Sequence, residues 1–358
     1  HVVTSIRTEP NAVLDGFIIS GGNADGPEEE SEQCKFRYGG GMYNVHGSPT
    51  VINCIFRYNS SLDLGGGICN FYGGSTILTD CKFIGNSSKK NGGGMTNFAS
   101  AQPTLINCIF RGNYAQNGGG IYNQSHPQIH QIKLIKCMFI DNSAEAGGGI
   151  FNSGGNIKLV DCKFVRNSSV QSGGGMLNRG SITTLFNCRF DNNSSLSGGG
   201  ISNIGEPNST FVNCYFVGNS AKHSGGGMHN HLSSPTLINC IFINNESIES
   251  GGAICNYHWE KWYYSRLKMI NCTLSANRSL RVAGGIGNDI ADGRLNLTNC
   301  ILWGNTDKGE DVEVAQIQGG KENIKNCCIQ GWTGKLGGTG NFDLNPLFVD
   351  PNGPDGKI

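Results

Sequence analysis

A unit of about 26 residues recurs along almost the whole chain, and a fixed period of this length is typical of arrays of stacked units. Residues 198–219 contain the unit in full as GGGISNIGEPNSTFVNCYFVGN. Its recurring positions read GGGhxN, then a short loop, then hhNCxFxxN, where h is apolar. One cysteine of each unit occupies the NC position, at Cys34, Cys54, Cys81, Cys108, Cys137, Cys162, Cys188, Cys214, Cys240, Cys272, Cys300 and Cys327. The period predicts a fold made by stacking these units on one another.

The apolar positions within one unit are too short and too interrupted for a helix. Gly, Asn and Ser fill the intervals, which favours short strands joined by tight turns. Leu237 and Cys240 are regular apolar positions, yet strict alternation would place them on opposite faces of one strand. A corner at Asn239 removes this conflict, and the GGGhxN segment supplies a third strand. The repeat therefore predicts an all-β fold, a parallel β-helix solenoid of about 12 rungs with three short strands per rung.

Asparagine marks three fixed positions of the unit. It precedes the column cysteine, as at Asn239, closes the FxxN motif, as at Asn245, and ends GGGhxN, as at Asn230. Asparagine tolerates the left-handed backbone of a tight turn, and its amides can hydrogen-bond between rungs at the ~4.7–4.8 Å strand spacing. We interpret the three columns as structural ladders rather than catalytic residues. We interpret the Gly-Gly-Gly block as a sharp corner without room for a Cβ atom.

The composition limits the possible functions and the domain organisation. The chain has 358 residues, a formal net charge of +0 and 15% charged residues. A nucleic-acid-binding protein would carry a basic stripe, and a membrane-spanning helix needs a run of about 18 apolar residues, so we expect neither. We predict one elongated domain, a segment of a longer chain. It comprises N-terminal strands with an acidic loop (1–33), β-helix repeats (34–330) and an irregular C-terminal tail (331–358).

The sequence contains 15 cysteines, and those of the NC column are expected to be reduced. Identical positions on neighbouring rungs have parallel Cβ vectors about 4.8 Å apart, outside the ~3.5–4.5 Å that a disulfide requires. We interpret the column as small, buried hydrophobic residues. The sequence does not determine the redox state of the other cysteines.

Several motifs resemble those of known β-helix families. GGG[IM] and FxxN resemble the GGA[ILV]/FxxN repeats of polymorphic outer-membrane-protein-type β-helices, and the likeness covers almost the whole chain. The segments NAVLDGFIISGGNADG and LNPLFVDPNGPDGKI resemble the flanks of such repeats in large secreted proteins of environmental bacteria. The resemblance implies a right-handed, pectin-lyase-like β-helix with a secreted or cell-surface location. Because that superfamily contains lyases, hydrolases, epimerases and adhesins, the resemblance does not determine an activity.

The insertion 257–266, YHWEKWYYSR, is the longest departure from the repeat, and a second insertion spans residues 124–132. Exposed aromatic rings can stack on sugar rings, so the longer insertion is a candidate glycan-binding or surface-binding site. Its aromatic residues are Tyr257, Trp259, Trp262, Tyr263 and Tyr264. The alternative is that these residues fold down as a lid on the side of the solenoid.

A candidate metal site lies beside this insertion. If Met228 points inward, His229 and His231 point outward, and Cys255 and His258 follow one rung later. Imidazole and thiolate groups can bind zinc or copper. The alternative is that these are ordinary variable surface positions. We expect no cofactor, and leave a bound calcium or zinc ion open.

A row of basic residues accompanies the CxF strand. It consists of Arg57, Lys82, Arg111, Lys163 and Arg189. Such a row could attract an acidic polysaccharide, or its charges could oppose edge-to-edge aggregation.

These observations favour a secreted or surface-displayed module with a structural, adhesive or glycan-binding role. Its expected partner is an extracellular polysaccharide or a cell-surface component. Asp63, Asp141 and Asp191 are scattered singly, and no convergent carboxylate pair suggests two-carboxylate hydrolysis. The alternative is a polysaccharide-active lyase or hydrolase with its site on the insertion side, and the sequence leaves the question of catalysis open.

Overall fold

A computed structural model of the chain describes residues 1–27, 35–125, 131–205, 208–257, 265–288, 294–309, 312–319 and 321–348. The chain divides into two compact units, His1–Thr184 and Leu185–Ile358. In both units the repeat forms four successive strands, and strands at equivalent positions pair in parallel. We name the four strand positions A, B, C and D in chain order, and call one turn of the chain through them a rung.

The first unit begins with a rung of all four strands. Its sheet A contains Val3–Ile6, Met42–Val45, Ile68–Phe71, Met95–Phe98, Ile121–Gln124, Ile150–Ser153 and Met176–Arg179. Its sheet B contains Val13–Asp15, Thr50–Ile52, Ile77–Thr79, Thr104–Ile106, Gln131–Ile135 and Asn156–Val160. Its sheet C contains Ile18–Ser20, Ile55–Arg57, Lys82–Ile84, Ile109–Arg111, Met138–Ile140 and Lys163–Val165. Its sheet D contains Asn23–Ala24, Ser60–Ser61, Ser87–Ser88, Tyr114–Asn117, Ser143–Ala146 and Ser168–Ser169, and a 3-10 helix spans Lys35–Arg37.

The second unit continues the same order of strands. The sheet B strand Thr183–Phe186 includes residues on both sides of the division between units. Sheet B continues with Thr210–Val212, Thr236–Ile238, Arg266–Ile270, Arg294–Thr298 and Lys321–Lys325. Sheet A contains Ile201–Ile204, Met228–His231, Ile254–Tyr257, Ile286–Asn288 and Ile317–Gln318. Sheet C contains Arg189–Asp191, Tyr215–Val217, Ile241–Ile243, Thr273–Ser275, Ile301–Trp303 and Cys328–Ile329, and sheet D contains Ser194–Ser197, Ser220–Ser224, Glu246–Ser247 and Arg278–Ser279.

The prediction of an all-β parallel β-helix is confirmed, but among the described residues ten rungs have four strands rather than three, because sheets A, B and C contain 12 strands each and sheet D contains 10. The missed strand is D, which follows the FxxN asparagine and is often only two residues long, as at Ser60–Ser61. Serine carries no apolar signal, so a strand of this kind is invisible to hydrophobic periodicity. The N-terminal strands predicted for residues 1–33 likewise form a rung of four strands, Val3–Ile6, Val13–Asp15, Ile18–Ser20 and Asn23–Ala24.

The core of each unit is a set of stacked identical side chains. In the first unit, the rings of the FxxN phenylalanines lie parallel at centroid distances of 5.1, 4.4, 5.0 and 4.7 Å along the series Phe56, Phe83, Phe110, Phe139 and Phe164. In the second unit, Phe190, Phe216 and Phe242 repeat the stack at 5.0 and 4.4 Å. These rings are fully buried. The parallel register that the repeat imposes therefore sets the ring spacing.

Buried asparagines connect the rungs from within. The Oδ1 atom of Asn219 accepts hydrogen bonds from both the backbone nitrogen and Nδ2 of Asn193, each at 3.0 Å. Its Nδ2 donates to the Phe190 carbonyl at 2.9 Å and to Asn245 Oδ1 at 2.9 Å. The side chain is completely buried. Each amide of this ladder therefore has partners for its own oxygen and nitrogen, and it accepts from two donors of the preceding asparagine, the backbone nitrogen and Nδ2.

The predicted corner before the column cysteine is confirmed. Asn239 has φ = 54°, and Asp80, Asp161 and Lys136 adopt the same left-handed conformation where they replace asparagine, each with φ = 55°. This third ladder lies on the surface, where Asn239 Nδ2 donates to Asn213 Oδ1 at 3.1 Å. The corner contains only two residues in every described rung. Two of the three asparagine ladders, those of FxxN and GGGhxN, are therefore buried, and the ladder at the B–C corner is exposed.

The Gly-Gly-Gly block fills the corner between sheets D and A. Gly225 has φ = 68°. A Cβ atom on Gly226 would lie 2.4 Å from the Glu246 carbonyl oxygen of the next rung, closer than any real contact. The neighbouring rung therefore approaches the corner so closely that only glycine fits there.

A short helix ends the buried ladder of the second unit. The α-helix Val312–Gln316 places Gln316 where the next asparagine of the ladder would stand. Asn305 Nδ2 donates to Gln316 Oε1 at 2.7 Å, and Gln316 Nε2 donates back to the Asn305 carbonyl at 3.0 Å. Gln316 is fully buried, so the last amide of the ladder keeps its hydrogen bonds.

The column cysteines of the described residues are reduced, buried thiols. Cys240 Sγ donates to the Ile238 carbonyl at 3.4 Å, and the Cys240 backbone nitrogen donates to Cys272 Sγ at 3.4 Å. A hydrogen bond with Cys214, together with burial, raises the pKa of Cys240 to about 12. The thiolate, which is the reactive form, is therefore suppressed at neutral pH.

The buried ladder should contribute far more stability than the exposed one. We expect Asn219→Ala to lower the free energy of unfolding by about 3–5 kcal/mol, because it leaves several buried polar groups unpaired at about 1–3 kcal/mol each. Asn213→Gly, which preserves the left-handed corner in the exposed ladder, should cost less than about 1 kcal/mol. Urea unfolding followed by circular dichroism measures both. An equal loss of unfolding free energy in the two variants would contradict the conclusion that the buried ladder contributes more stability than the exposed one.

The column thiols should resist modification until the protein unfolds. In native protein near pH 8, a maleimide or an aromatic disulfide reagent should leave Cys54 to Cys300 of the column unlabelled, because these thiols are buried and the reagent cannot reach them. In denaturant the same cysteines should react fully. Peptide mapping by mass spectrometry gives the result, and a native disulfide between successive column cysteines would refute it.

Candidate functional site

In most of the described rungs, the loops of variable length lie at the corner between sheets A and B. Connections there range from residues 154–155 to the longer segments 125–130 and 258–265. The corner between sheets B and C keeps two residues throughout the described chain. Loops on one face of a solenoid commonly carry binding function. The A–B corner is therefore the candidate location of a binding site.

The outer face of sheet A, beside this corner in the first unit, is covered rather than solvent-exposed. Tyr43, Leu64, Cys69 and Phe71 form a second, smaller hydrophobic cluster there. Leu64 comes from the segment just before a glycine block, which folds back over the strand. Phe98 packs against the edge of this cluster and is partly buried.

Aromatic rings lead from this cluster to the loops. The rings of His46 and Tyr72 stack at 5.5 Å, Tyr72 meets Phe71 edge-on at 4.2 Å, and Phe71 stacks on Phe98 at 5.4 Å. Phe98 then forms one wall of a depression of about 400 Å³. The remaining wall residues are Ala99, Ser100, Gln124, Ser125, Ser153 and Gly154. We call this the Phe98 depression.

Polar side chains line the other side of the Phe98 depression. Ser125 Oγ is buried without a hydrogen-bond partner. Gln124 is exposed, and its Oε1 accepts a hydrogen bond of 2.8 Å from the Tyr122 hydroxyl, which fixes the amide in place. Ala99 and Ser100 have φ values of 48° and 75°. Left-handed backbone at residues other than glycine costs about 1–3 kcal/mol and is concentrated at functional sites.

Sequence reasoning missed this depression because it treated the position after GGGhxN as variable surface. The usable signal was the pair of phenylalanines, Phe71 and Phe98, that follow the asparagine in two successive rungs. The shorter insertion 124–132 was recognised, and its first two residues line the depression.

The longer aromatic insertion is described only at its first aromatic residue. The Tyr257 ring lies 5.8 Å from that of His231 and 6.4 Å from that of His229. The other aromatic candidates, Trp259, Trp262, Tyr263 and Tyr264, lie outside the described residues. Their glycan-binding role stays a prediction.

The predicted histidine and cysteine columns are in register. His229 pairs with Cys255, and His231 pairs with Tyr257, while His258 lies outside the described residues. Cys255 is completely buried. Across the part of the chain that the structure describes, no three His, Cys, Asp or Glu residues come together as metal ligands. A metal at this position stays a prediction.

His229 is held neutral by its surroundings. Its Nδ1 atom is buried without a hydrogen-bond partner. Burial, with the nearby charges of His231 and His223, lowers the pKa of His229 to about 3. Neutral imidazole is also the form that binds a metal, but here the simpler consequence is a cost of protonation.

The basic residues of the CxF strand fall into two separate columns. Arg57 and Arg111 share one column and are separated by Ile84, while Lys82 stands between Ile55 and Ile109 in the other. Arg189 forms an ion pair of 2.7 Å with Asp191 on its own strand. Aliphatic side chains thus interrupt the row, and its role in binding stays a prediction.

The carboxylates considered for catalysis are each neutralised by a neighbouring cation. Asp63 contacts Arg37 at 2.8 Å and Lys90 at 2.7 Å. Asp141 contacts Arg166 at 2.8 Å, and Asp191 contacts Arg189. These pairs connect side chains within or between rungs, which is a structural use of the carboxylates.

Two comparisons identify the repeat. Residues 15–164 match the family described as the right handed beta helix region, and residues 239–257 match the Chlamydia polymorphic membrane protein repeat. The chain is a right-handed β-helix protein with repeats of the polymorphic membrane protein type. The second match runs from the corner Asn239 through Cys240, Phe242 and Asn245 to the GGAI segment, so it covers one rung from corner to sheet A. No curated protein and no solved structure matches the chain.

His229 should make the protein sensitive to acid. Because its folded pKa lies near 3 and an unfolded histidine titrates near 6.5, the unfolded state binds the proton first, and stability should fall as the pH falls from about 6.5 towards 3. The slope contributed by this residue is about 1.4 kcal/mol per pH unit. We expect His229→Asn to flatten the dependence of the urea midpoint on pH in this range. The exposed His46 gives the control, His46→Asn, and parallel curves for wild type and His229→Asn would refute the prediction.

Proposed function

We propose that this protein is a surface-displayed β-helix module that binds glycans, without catalysis, at the A–B corner of its first unit. The observation that carries the proposal is the Phe98 depression. It brings together the side chain of Phe98, the Ser125 hydroxyl, which is buried without a hydrogen-bond partner, and the Gln124 amide, which Tyr122 holds by a hydrogen bond. Aromatic faces stack on sugar rings, and hydroxyl and amide groups satisfy sugar hydroxyls.

The size and position of the depression support this reading. Ligand sites commonly occupy about 300–1,000 Å³, and a volume of about 400 Å³ suits one or two sugar rings. The site lies on the corner where loop length varies, so residues there can change without disturbing the ladders. A rigid scaffold that carries variable loops is a common arrangement for recognition.

Display at the cell surface is supported by the type of repeat. The matching repeat is named for a membrane protein of Chlamydia. No helix within the described residues is long and apolar enough to cross a membrane. We propose a secreted or surface location, with an extracellular polysaccharide or a cell-surface component as partner.

The second candidate is a polysaccharide-active enzyme that uses the same corner. It is favoured by the same depression, which would hold a sugar equally well. The ion pairs of Asp63, Asp141 and Asp191 speak for the binding module, because a catalytic acid or base must be able to exchange its proton with substrate.

Binding should depend on the Phe98 depression. We expect Phe98→Leu combined with Gln124→Ala to weaken glycan binding on an array about tenfold or more, since a stacking ring and a hydrogen bond are lost together. The leucine retains apolar contact with Phe71, so the thermal unfolding temperature should change little. Tyr114→Ala removes an exposed ring from sheet D and should leave binding unchanged.

Three other outcomes would overturn this proposal. Unchanged binding in the double variant would exclude the depression. Loss of binding in a Trp259→Ala, Trp262→Ala variant alone would move the site to the long insertion. Release of shortened or unsaturated oligosaccharides from a panel of acidic and neutral polysaccharides would establish the enzyme.

A further inference from the structure

The outer face of sheet B in the second unit carries a group of cations on three consecutive rungs. Arg266 lies directly opposite Arg294, which in turn pairs with Lys321 of the next strand. Lys268 follows on the first of these strands, and Lys325 on the third. The side chains of Arg266, Lys268, Arg294 and Lys325 are exposed. We call these four residues the cationic strip.

The arrangement is electrostatically unfavourable in the absence of a partner. Like charges on directly opposed strand positions destabilise a sheet. Within the described residues, no carboxylate forms an ion pair with any member of the strip. An uncompensated column of this kind has a cost to folding, so its presence calls for an explanation.

Sheet D and its corner in the same unit provide a direct contrast. There Arg281 contacts Glu249 of the preceding rung at 2.6 Å, and Arg278 faces Glu246 at 3.8 Å. Both pairs join positions that are equivalent in successive rungs, so the repeat readily places opposite charges one above the other. The cations on this side of the rung are thus neutralised, whereas none of the described carboxylates forms an ion pair with the cations of the strip on sheet B.

The surface between the cations suits an extended ligand. Two rung steps of about 4.8 Å give the strip a length of about 10 Å along the direction of stacking. Asn296 and Asn323 lie between the cations, with Asn323 Nδ2 donating to Asn296 Oδ1 at 3.3 Å. Both amides are on the outer face, in register with Lys268. The surface thus offers cations at intervals together with amide groups that can bind hydroxyls.

We propose that the cationic strip binds an acidic polysaccharide, a chain of sugars bearing carboxylate or sulfate groups. Guanidinium groups bind such oxyanions with two parallel hydrogen bonds, and the amides of Asn296 and Asn323 accommodate the neutral hydroxyls between them. A flat sheet face does not enclose a small anion, whereas a linear polymer contacts several rungs at once. This inference goes beyond the proposed function, because the strip lies in the other unit from the Phe98 depression and shares no residue with it.

Two other polyanions fit the strip less well. A nucleic-acid-binding protein is expected to carry an excess of positive charge, and this chain has a formal net charge of +0. An anionic membrane surface is bound best where apolar side chains insert beside the cations, whereas the strip is interleaved with asparagine. Both are included as competitors in the experiment.

The experiment compares two variants with the same loss of charge. In the first, Arg266, Lys268, Arg294 and Lys325 are all replaced by glutamine. In the control, four exposed lysines to which no binding role is assigned, Lys89, Lys222, Lys308 and Lys335, are all replaced by glutamine. Binding of the full chain to polygalacturonate, dextran sulfate and neutral dextran is measured by biolayer interferometry at low and physiological salt. Circular dichroism and thermal unfolding verify that both variants are folded.

We expect the wild-type chain to bind polygalacturonate or dextran sulfate, with an affinity that falls as salt increases, and to ignore neutral dextran at the strip. The strip variant should bind the acidic polymer about tenfold more weakly or worse, and the control less than about twofold more weakly. Charge-preserving replacement of Arg266 and Arg294 by lysine should recover part of the loss, since bidentate contacts but not the charges are removed.

Three results would overturn the proposal. The first is absence of wild-type binding to both acidic polymers at low salt. The second is an equal loss of affinity for acidic polymer in the two variants, because the loss would then follow from the lower net charge and not from the position of the cations. The third is binding to phosphatidylserine vesicles or to duplex DNA at least as tight as to the polysaccharides. A strip variant that loses acidic polymers but retains glycan binding at the Phe98 depression keeps the two sites separate.

Discussion

The structure depends on the hydrogen bond that one buried asparagine makes to the same asparagine of the next rung. An amide such as that of Asn219 accepts from the backbone and side chain of Asn193 and donates to Asn245, so a slip of one residue would leave several buried polar groups unpaired. Hydrophobic stacking of phenylalanines favours the interior but tolerates small shifts. The amide ladder tolerates no such shift, because its hydrogen bonds would be lost. It therefore sets the register between rungs, and this register aligns every other column of side chains.

A fixed register divides the rung into corners that can change and corners that cannot. The glycine corner cannot lengthen or gain side chains, because a Cβ atom on Gly226 would collide with the next rung. The two-residue corner at Asn239 is equally restricted. The connection between sheets A and B varies in length from rung to rung, because it leaves the rung after the last buried asparagine. The Phe98 depression is found at this corner for that reason, and strain at Ala99 and Ser100 is tolerated there.

The sequence predicts what repeats and misses what does not. The corner at Asn239, the reduced thiol column and the register of His229 with Cys255 all follow from periodic positions, and the structure agrees with each. The strand Ser60–Ser61 escaped detection because its pairing is made by backbone groups, without apolar side chains. The pair of Phe71 and Phe98 marks the place of the Phe98 depression in the sequence, but its shape depends on how Leu64 and its neighbours fold over the outer face of sheet A. Packing across rungs of unequal loop length is not encoded in any one repeat.

The same repetition that stabilises the core makes surface charge informative. In a solenoid, each outward position lies about 4.8 Å from its equivalents above and below. A charged side chain therefore interacts directly with the side chains at the same position of the neighbouring rungs. Alternation of opposite signs is the arrangement of lowest energy, and the pair of Glu249 with Arg281 follows it. Arg266 opposite Arg294 departs from it on a face where no compensating carboxylate is present among the described residues. Since neutral residues occupy the equivalent positions Ser234 and Thr236 of the preceding rung, the fold itself does not require cations here. The unfavourable column is then best explained by an anionic partner that supplies the missing charge.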